Sequence, residues 1–540
     1  MKQSEPDVII IGAGAGGGSC AWALAQAGVS VLLLDAGPWY DLTEDYRLHR
    51  HDWERQGFPD KSDTPPGYSF GPMQTLEARW DDLRSWNHIR GRLNRGRKRH
   101  GWRYNHVKGV GGSTLHFSGE AHRMHPQAMR MYSQFGIAAD WPVSYAELEP
   151  FYEQAEALVG VTGPFPDASR PRRSPFPQPA HDPSYAGSKL IAAGAQLGQH
   201  WQPNSLAALS RPHAGRPACN YCANCHRGCP RGDKGSVDVT FVRQALATGH
   251  CRVMANTRVM RLIAGADDRV VGLEGIGADG DHLELKARVI VLAGGAIETP
   301  RLLLLSENTH APAGLANESS QVGRHFMETL SWDVVCWDYN SPMAIEGVIG
   351  GCRFSAGTAD ADFLGPISYA QRAVPGWGRQ HKQAMREEFG KVLSVVSIGE
   401  FLPNPDTFID LDPERRDQHD RPLARIHSYI DEDACKRMRF MADISRKILR
   451  AAGTGKPFEE YGSYDFFNAT HVFGTARMGA DPEYSVVNAD GRAHYWKNLY
   501  IADASLFPSS GGGESPSLTI EALAIRTAGK IREALKNSDD

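Results

Sequence analysis

The chain has 540 residues, 41% of them apolar, with 59 Lys plus Arg set against 63 Asp plus Glu. That length allows two or more domains with large cores, and a formal net charge of −4 excludes a global pull toward nucleic acid or an anionic membrane surface. No apolar run approaches the ~18 residues of a spanning helix, and the opening MKQSEPDVIII lacks the basic stretch and cleavable apolar region of an export signal, so neither an integral membrane segment nor a signal of its own is expected.

The first legible element is DVIIIGAGAGGG, residues Asp7 to Gly18, an apolar strand running into Gly12, Gly14 and Gly17 at G-x-G-x-x-G spacing. Glycines there make a tight turn and let backbone N–H groups approach a pyrophosphate at the start of the next helix. The spacing predicts that helix from about Gly16 to Ala27, ending at Gly28, followed by a strand in VSVLLLDAG. Asp35 closes that strand about 20 residues beyond the glycines, where an acidic side chain binds a ribose hydroxyl. Strand, turn, helix, strand and acid together point to a dinucleotide.

Residues 41–100 are polar and read as an excursion from the nucleotide core. Within and after them lies a basic run, Arg90, Arg92, Arg95, Arg97, Lys98, Arg99, Arg103 and Lys108, read either as a solvated or phosphate-facing loop or as a docking surface for an acidic redox partner. Trp102 and Tyr104 are too few aromatics for a nucleic-acid stacking platform. KGVGGSTLHFSG, with Gly111, Gly112 and Ser113, is a second glycine-rich turn suited to a flat ring or a phosphate. A proline-rich crossing follows between about 160 and 215.

Cys219, Cys222, Cys225 and Cys229 then crowd into CNYCANCHRGCP. C-x2-C-x2-C-x3-C-P is the spacing by which thiolates wrap an iron–sulfur cluster. Zinc is a rival, although structural zinc sites usually draw pairs from separated loops, and so is a set of free, reduced thiols. Beyond the cysteines, FVRQALATG reads as a helix, CRVMANTRVMRLI as one or two strands, VVGLEGIGADGDHLELKARVIVLAGG as a hairpin turning at Ala278 to Asp281, and GAIETPRLLLLS as turn and helix. Residues 330–460 change character, carry an amphipathic helix near ACKRMRFMADISRKILRAAG, and read as a cap over a substrate pocket. The chain closes with HVFGTARMG from His471, NLYIADASLFP containing Asp503, and SPSLTIEALAIRTA from Ser515, where Ser515 as cap and Pro516 at the first helical position would start a terminal helix from Ser517 to Leu535.

The N-terminal fingerprint, GVGGSTLHF, GAIETPRLLLLS, HVFGTARMG and NLYIADASLFP followed by SPSLTI occur in the order and spacing of the glucose–methanol–choline (GMC) family of flavoprotein oxidoreductases, which the whole chain resembles. The resemblance implies a mixed α/β fold: a Rossmann-like FAD-binding domain built from discontinuous segments, with an interleaved antiparallel-sheet substrate-binding domain. The corresponding division is 1–160, 216–328 and 463–540 for FAD, with the cysteine loop 219–229 in the second segment, and 161–215 and 329–462 for substrate. It implies FAD as cofactor, with Gly12, Gly14, Gly17 and Asp35, then Gly111, Gly112 and Ser113, then Asp503 and Pro516 lining its site. The cysteine run most resembles the catalytic subunits of bacterial sugar dehydrogenases for glucose, fructose and gluconate, whose three-iron cluster matches Cys219, Cys225 and Cys229, with Cys222 extra. CPRGDK is also close to the CPTGDK-like end of the loop in long-chain alcohol oxidases.

Alcohol oxidation removes a proton from oxygen and a hydride from carbon, and the resemblance gives the first task to His471. An alcohol is about nine pKa units less acidic than an imidazolium, a gap of about 12 kcal/mol, so proton removal must advance with hydride departure or a second donor must hold the alkoxide. The position that carries Asn or His in the family is Ser515 here; its shorter reach leaves the second donor to Ser515, to Glu514 or to a residue of the cap. The expected activity is oxidation of a sugar or polyol, with electrons leaving through the cluster to a cytochrome c or quinone acceptor and a small accessory subunit as partner. Localisation is read as cytoplasmic, or at the periplasmic face after folded export with a partner subunit. The alternatives are an oxygen-using alcohol oxidase and, in another class, a flavin-binding electron-transfer protein without turnover.

Overall fold

Mostly apolar runs of three or four residues, too short for helices and rich in Val, Ile and Leu, form the central layer. In the computed structural model, which describes residues 5–46, 67–88, 90–167, 170–222, 225–341, 352–355, 359–364, 378–387 and 391–537, they build a five-stranded parallel sheet. Its order is Cys251–Met254, Val31–Leu34, Val8–Ile11, Val289–Leu292 and Leu499–Ile501. Val8 stands opposite Val31 on one side and Val289 on the other. The three inner strands are almost wholly buried, as parallel strands covered on both faces must be. Parts of the polar segment 41–100 and of the cap 329–462 lie outside the described residues.

The last strand of that sheet comes from the far end of the chain, and the helices repeat the pattern. The first helix, Ala15–Gln26, packs against the terminal helix, Ser517–Asn537, which also meets the helix Tyr145–Val159. Gly16 brings the first helix onto the end of the last sheet strand: a Cβ there would run into the carbonyl of Ala502. Tyr145–Val159 starts on a capping box in which Ser144 and Glu147 satisfy each other's backbone N–H groups.

The second layer is antiparallel. Its eight strands run in the order Gly91–Arg92, Trp86–Asn87, Pro457–Gly462, Leu330–Trp337, Val392–Gly399, Ala359–Leu364, Cys352–Ser355 and Gln202–Pro203. The core pair is in register from Leu330 opposite Gly399 to Trp337 opposite Val392. The helix Glu432–Ala451 covers these two strands with Ala434, Met438, Met441, Ala442, Ile448 and Leu449, spaced three and four apart as one helical face requires. Fully burying each large side chain of that stripe contributes roughly 1.5–3 kcal/mol, and Asp431 caps the helix by accepting the Ala434 N–H at 2.8 Å. Both the polar segment before residue 100 and the proline-rich crossing lend edge strands to this sheet. Tyr68–Phe70 joins a separate sheet with Phe408–Arg416 and Pro422–His427. Among the described residues no helix is long and apolar enough to cross a membrane.

Candidate active site

Two glycine turns meet at the carboxyl end of the parallel sheet. Gly12 turns the chain at φ +104°, and the Gly111 N–H donates to the Ala13 carbonyl at 2.9 Å, tying the second turn to the first. Gly112 lies at φ +54°, and a Cβ on it would stand 2.7 Å from the Cα of Gly14. Gly17 lets the first helix settle on the Gly12 carbonyl, where a side chain would collide. Helix N-terminus, bare backbone and apposed glycines make a cradle that fits a diphosphate. Ser113 is exposed beside it and its Oγ accepts the Val107 N–H at 3.4 Å.

Asp35 is buried at the edge of this cradle. Its Oδ2 accepts the Ala13 N–H and its Oδ1 the Gly37 N–H, each at 2.9 Å. The carboxylate therefore braces the turn directly, with lone pairs left for a ribose hydroxyl, since such a group has about four acceptor positions. Burial raises its pKa, and the N–H groups of Gly37 and Ala13 oppose that rise. Asp503 also works on backbone: Oδ2 accepts from the Gly295 N–H at 2.9 Å and the Thr299 hydroxyl at 2.6 Å, and Oδ1 from the Ser505 N–H at 2.8 Å. It locks the helix Gly295–Leu305 onto the turn that follows the last strand of the sheet.

His471 stands just before the short strand Val472–Phe473, which pairs with Met327–Glu328 and is fastened to the Asp503 turn by the Gly474 N–H on the Ala504 carbonyl. Its imidazole is partly buried, and burial pushes its pKa down to about 4. The ring is therefore neutral near pH 7 and has a lone pair with which to take a proton. One residue past the end of the register that pairs Glu328 with Val472, the Thr329 hydroxyl donates to the His471 carbonyl at 3.3 Å.

Ser515 does not cap the terminal helix. The first intrahelical bond, from the Ile520 N–H, ends on the carbonyl of Pro516, which makes Pro516 the cap residue and leaves Ser515 outside the helix. The buried Ser515 instead donates its N–H to Nδ1 of His122 at 3.2 Å, and Nε2 of His122 meets Oδ1 of Asn204 at 2.7 Å. The basic run needs a second correction. Arg90, Arg92, Arg95, Arg97, Lys98 and Arg103 are exposed, but Arg99 is 1% exposed and its Nη2 meets both carboxylate oxygens of Glu328 at 2.9 Å. Arg99 is thus no part of a docking surface; it braces the strand next to His471, and nothing in the spacing of the run sets it apart.

The four cysteines are not arranged as a metal site. Among the described residues no group of three or more His, Cys, Asp or Glu side chains is placed to hold a metal ion. Burial pushes the thiols of Cys219 and Cys229 up to about 12 and about 11, and the Cys229 thiol donates to Oδ1 of Asp233 at 3.1 Å. Cys222 is exposed. Burial holds the Cys219 and Cys229 thiols in their neutral form, and a metal or cluster bound here would have to displace their protons. Lys234, 1% exposed, anchors the loop by donating to the carbonyls of Cys225, Phe117 and Leu115.

Comparison with known proteins gives matches along most of the chain. Models described as GMC oxidoreductase match residues 103–328 for the N-terminal part and 403–524 for the C-terminal part, and an NAD(P)-binding Rossmann-like domain matches 10–58. A 2-methyl-1,2-propanediol dehydrogenase from Mycolicibacterium austroafricanum is 29% identical, with 98% of this chain and 96% of the relative covered. The fructose dehydrogenase large subunit of Gluconobacter japonicus is also 29% identical, with 98% of each chain covered. Among solved structures, pyridoxine 4-oxidase from Mesorbium loti superposes with a TM-score of 0.65 at 19% identity, over 98% of this chain and 99% of that one.

Proposed function

The chain belongs to the GMC oxidoreductases, FAD-dependent enzymes acting on alcohols and sugars, and from that premise we propose that it oxidises one hydroxyl of a sugar or polyol and passes the electrons to an acceptor other than oxygen. The observation that carries the reading is the neutral, partly buried His471 held on the strand that is fastened to the Asp503 turn. Gly12, Gly14, Gly17, Gly112, Ser113 and Asp35 would hold the cofactor, and Asp503 would keep its turn in place. Bound FAD supplies the hydride acceptor.

His471 takes the hydroxyl proton at a ring nitrogen. With its pKa near 4 the mismatch with an alcohol is about 12 units, about 16 kcal/mol, so a free alkoxide is out of reach. Proton transfer has to advance with the loss of hydride, and a second polar group has to steady the developing charge on oxygen. Ser515, beside His122 and close to the start of the terminal helix, is our candidate for that group; the positive end of the helix works in the same direction.

Two relatives support the choice of substrate and acceptor, one a diol dehydrogenase and the other the large subunit of a sugar dehydrogenase. The cysteine spacing supports a cluster as the electron exit, with a cytochrome c or quinone and a small accessory subunit beyond it, whereas the placed thiols do not, so the half-reaction above stands without one. Anaerobic addition of sugars, polyols and simple alcohols to the FAD-loaded protein tests the proposal. Bleaching of the flavin by a polyol, with slow reoxidation by air and fast reoxidation by a quinone or cytochrome, is the expected result; no bleaching by any alcohol would leave the protein a flavin binder. Iron and acid-labile sulfide per flavin decide the cluster separately.

A further inference from the structure

Residues 119–124 run alongside the start of the terminal helix and touch it repeatedly. The Ser517 hydroxyl donates to the Glu120 carbonyl at 3.2 Å, and the Ser515 N–H donates to Nδ1 of His122 at 3.2 Å. The hydroxyls of Thr519 and Tyr152 meet at 2.8 Å, while Tyr152 also accepts the Met124 N–H at 3.2 Å. From behind, Glu120 pairs with Leu206 and the Ala121 N–H donates to the Ser205 carbonyl at 3.0 Å. Asn204, next along that segment, is buried and sets its Oδ1 2.7 Å from Nε2 of His122, which is itself buried.

These hydrogen bonds fix the state of the imidazole. A backbone N–H can only donate, so Nδ1 of His122 offers its lone pair to Ser515, and the ring proton is on Nε2, aimed at Oδ1 of Asn204. A doubly protonated ring would set two donors against each other at Nδ1. The Asn204 amide serves through its oxygen, since its Nδ2 is buried with no hydrogen-bond partner among the described residues, a cost that leucine in its place would not carry. Ser515 is thus held by its backbone, and Pro516 after it disfavours the helical conformation there. The Ser515 hydroxyl makes no hydrogen bond to any described residue.

We propose that His122 is a positioning residue for the oxidation: the lone pair of Nδ1 holds the Ser515 amide, and this places the unpartnered Ser515 hydroxyl to donate to the alcohol oxygen as proton and hydride leave. It rests on the role given to Ser515 above and adds the residue through which that role is exerted. A serine hydroxyl is one rotatable bond away from the backbone, so where it can reach depends on where the backbone is held. His122 takes up no proton in the step; its ring has to stay neutral to keep the contact.

Stopped-flow reduction of the FAD-loaded protein by 1,2-propanediol, or by the alcohol that bleaches the flavin fastest in the screen above, tests this in a double-mutant cycle of His122→Leu and Ser515→Ala. Flavin-to-protein absorbance and the thermal midpoint are read on each variant. Ser515→Ala should lower the limiting rate on the order of a hundredfold, as loss of one donor to a developing oxyanion does. His122→Leu should lower it on the order of tenfold or more, with the half-saturating alcohol concentration little changed, and should add almost nothing in the Ser515→Ala background. His122→Asn, whose Oδ1 offers an acceptor close to where Nδ1 stood, should recover most of the rate. A purely structural role gives equal factors in both backgrounds; that result, or His122→Leu at the wild-type rate, would overturn the assignment. If His122→Leu does not accumulate with flavin, the cycle is run with Asn204→Leu, which keeps the ring but removes the acceptor that orients it, and the same coupling is expected on a smaller loss. Ser515→Ala at the wild-type rate would instead remove the role on which the proposal rests, and failure of every alcohol to reduce the flavin would remove the function itself.

Discussion

At the scale of single residues, burial decides what each group does. His471 titrates near 4 because its surroundings penalise the charged ring. The unfolded chain binds that proton at about 6.5, so stability present above pH 6.5 is lost as pH falls toward 4, and the rate of flavin reduction should be flat above pH 5 and decline only below it. Stopped-flow reduction between pH 4 and 8 reads this directly; a limb centred near pH 6.5 would mean that the imidazole is solvated. Arg99 shows burial acting on a pair. Replacing it by alanine would strand Glu328 as an uncompensated carboxylate one strand from His471, at a cost of about 3–5 kcal/mol. Thermal unfolding should report that loss, and Arg99→Lys should restore only part of it, because one ammonium cannot meet Glu328 and also replace the bonds that Nε and Nη1 make to the Ser463 carbonyl and the Ser428 hydroxyl.

At the scale of elements, close backbone approach governs the cofactor cradle. Gly112 carries a positive φ and all but touches Gly14, so Gly112→Ala must push the two turns apart and widen the diphosphate seat. We expect the variant to fold, since the parallel sheet is untouched, and to be purified with a flavin affinity weakened on the order of tenfold or more; the ratio of flavin to protein absorbance checks it. The glycine turn, the strand after it and the helix Ala15–Gln26 were all legible in the sequence, because apolar runs and glycine spacing report backbone geometry locally. The cap of the terminal helix was less so. Ser-Pro is a common way to begin a helix, yet here the first carbonyl to be bonded belongs to Pro516, and Ser515 is drawn away to His122.

For the whole molecule, the sheet order makes cofactor binding and folding one matter. Segments from residue 8 to residue 501 lie side by side in one parallel sheet, and the first and last helices pack on each other. A ligand that binds only this closed arrangement should stabilise all of it. FAD at 100 times its Kd is expected to add about 2.7 kcal/mol and to raise the thermal midpoint of apoprotein, an effect that Gly112→Ala should blunt at the same FAD concentration. By itself the sequence determined the nucleotide turn, the buried strands and the terminal helix, because each is written in residues that are near neighbours along the chain. Only the tertiary structure decided that Arg99 leaves its basic run to neutralise Glu328 and that Glu400 and Glu514 both come up to Gly512, because strand register and close packing join residues more than one hundred positions apart and no local pattern records which of them will meet.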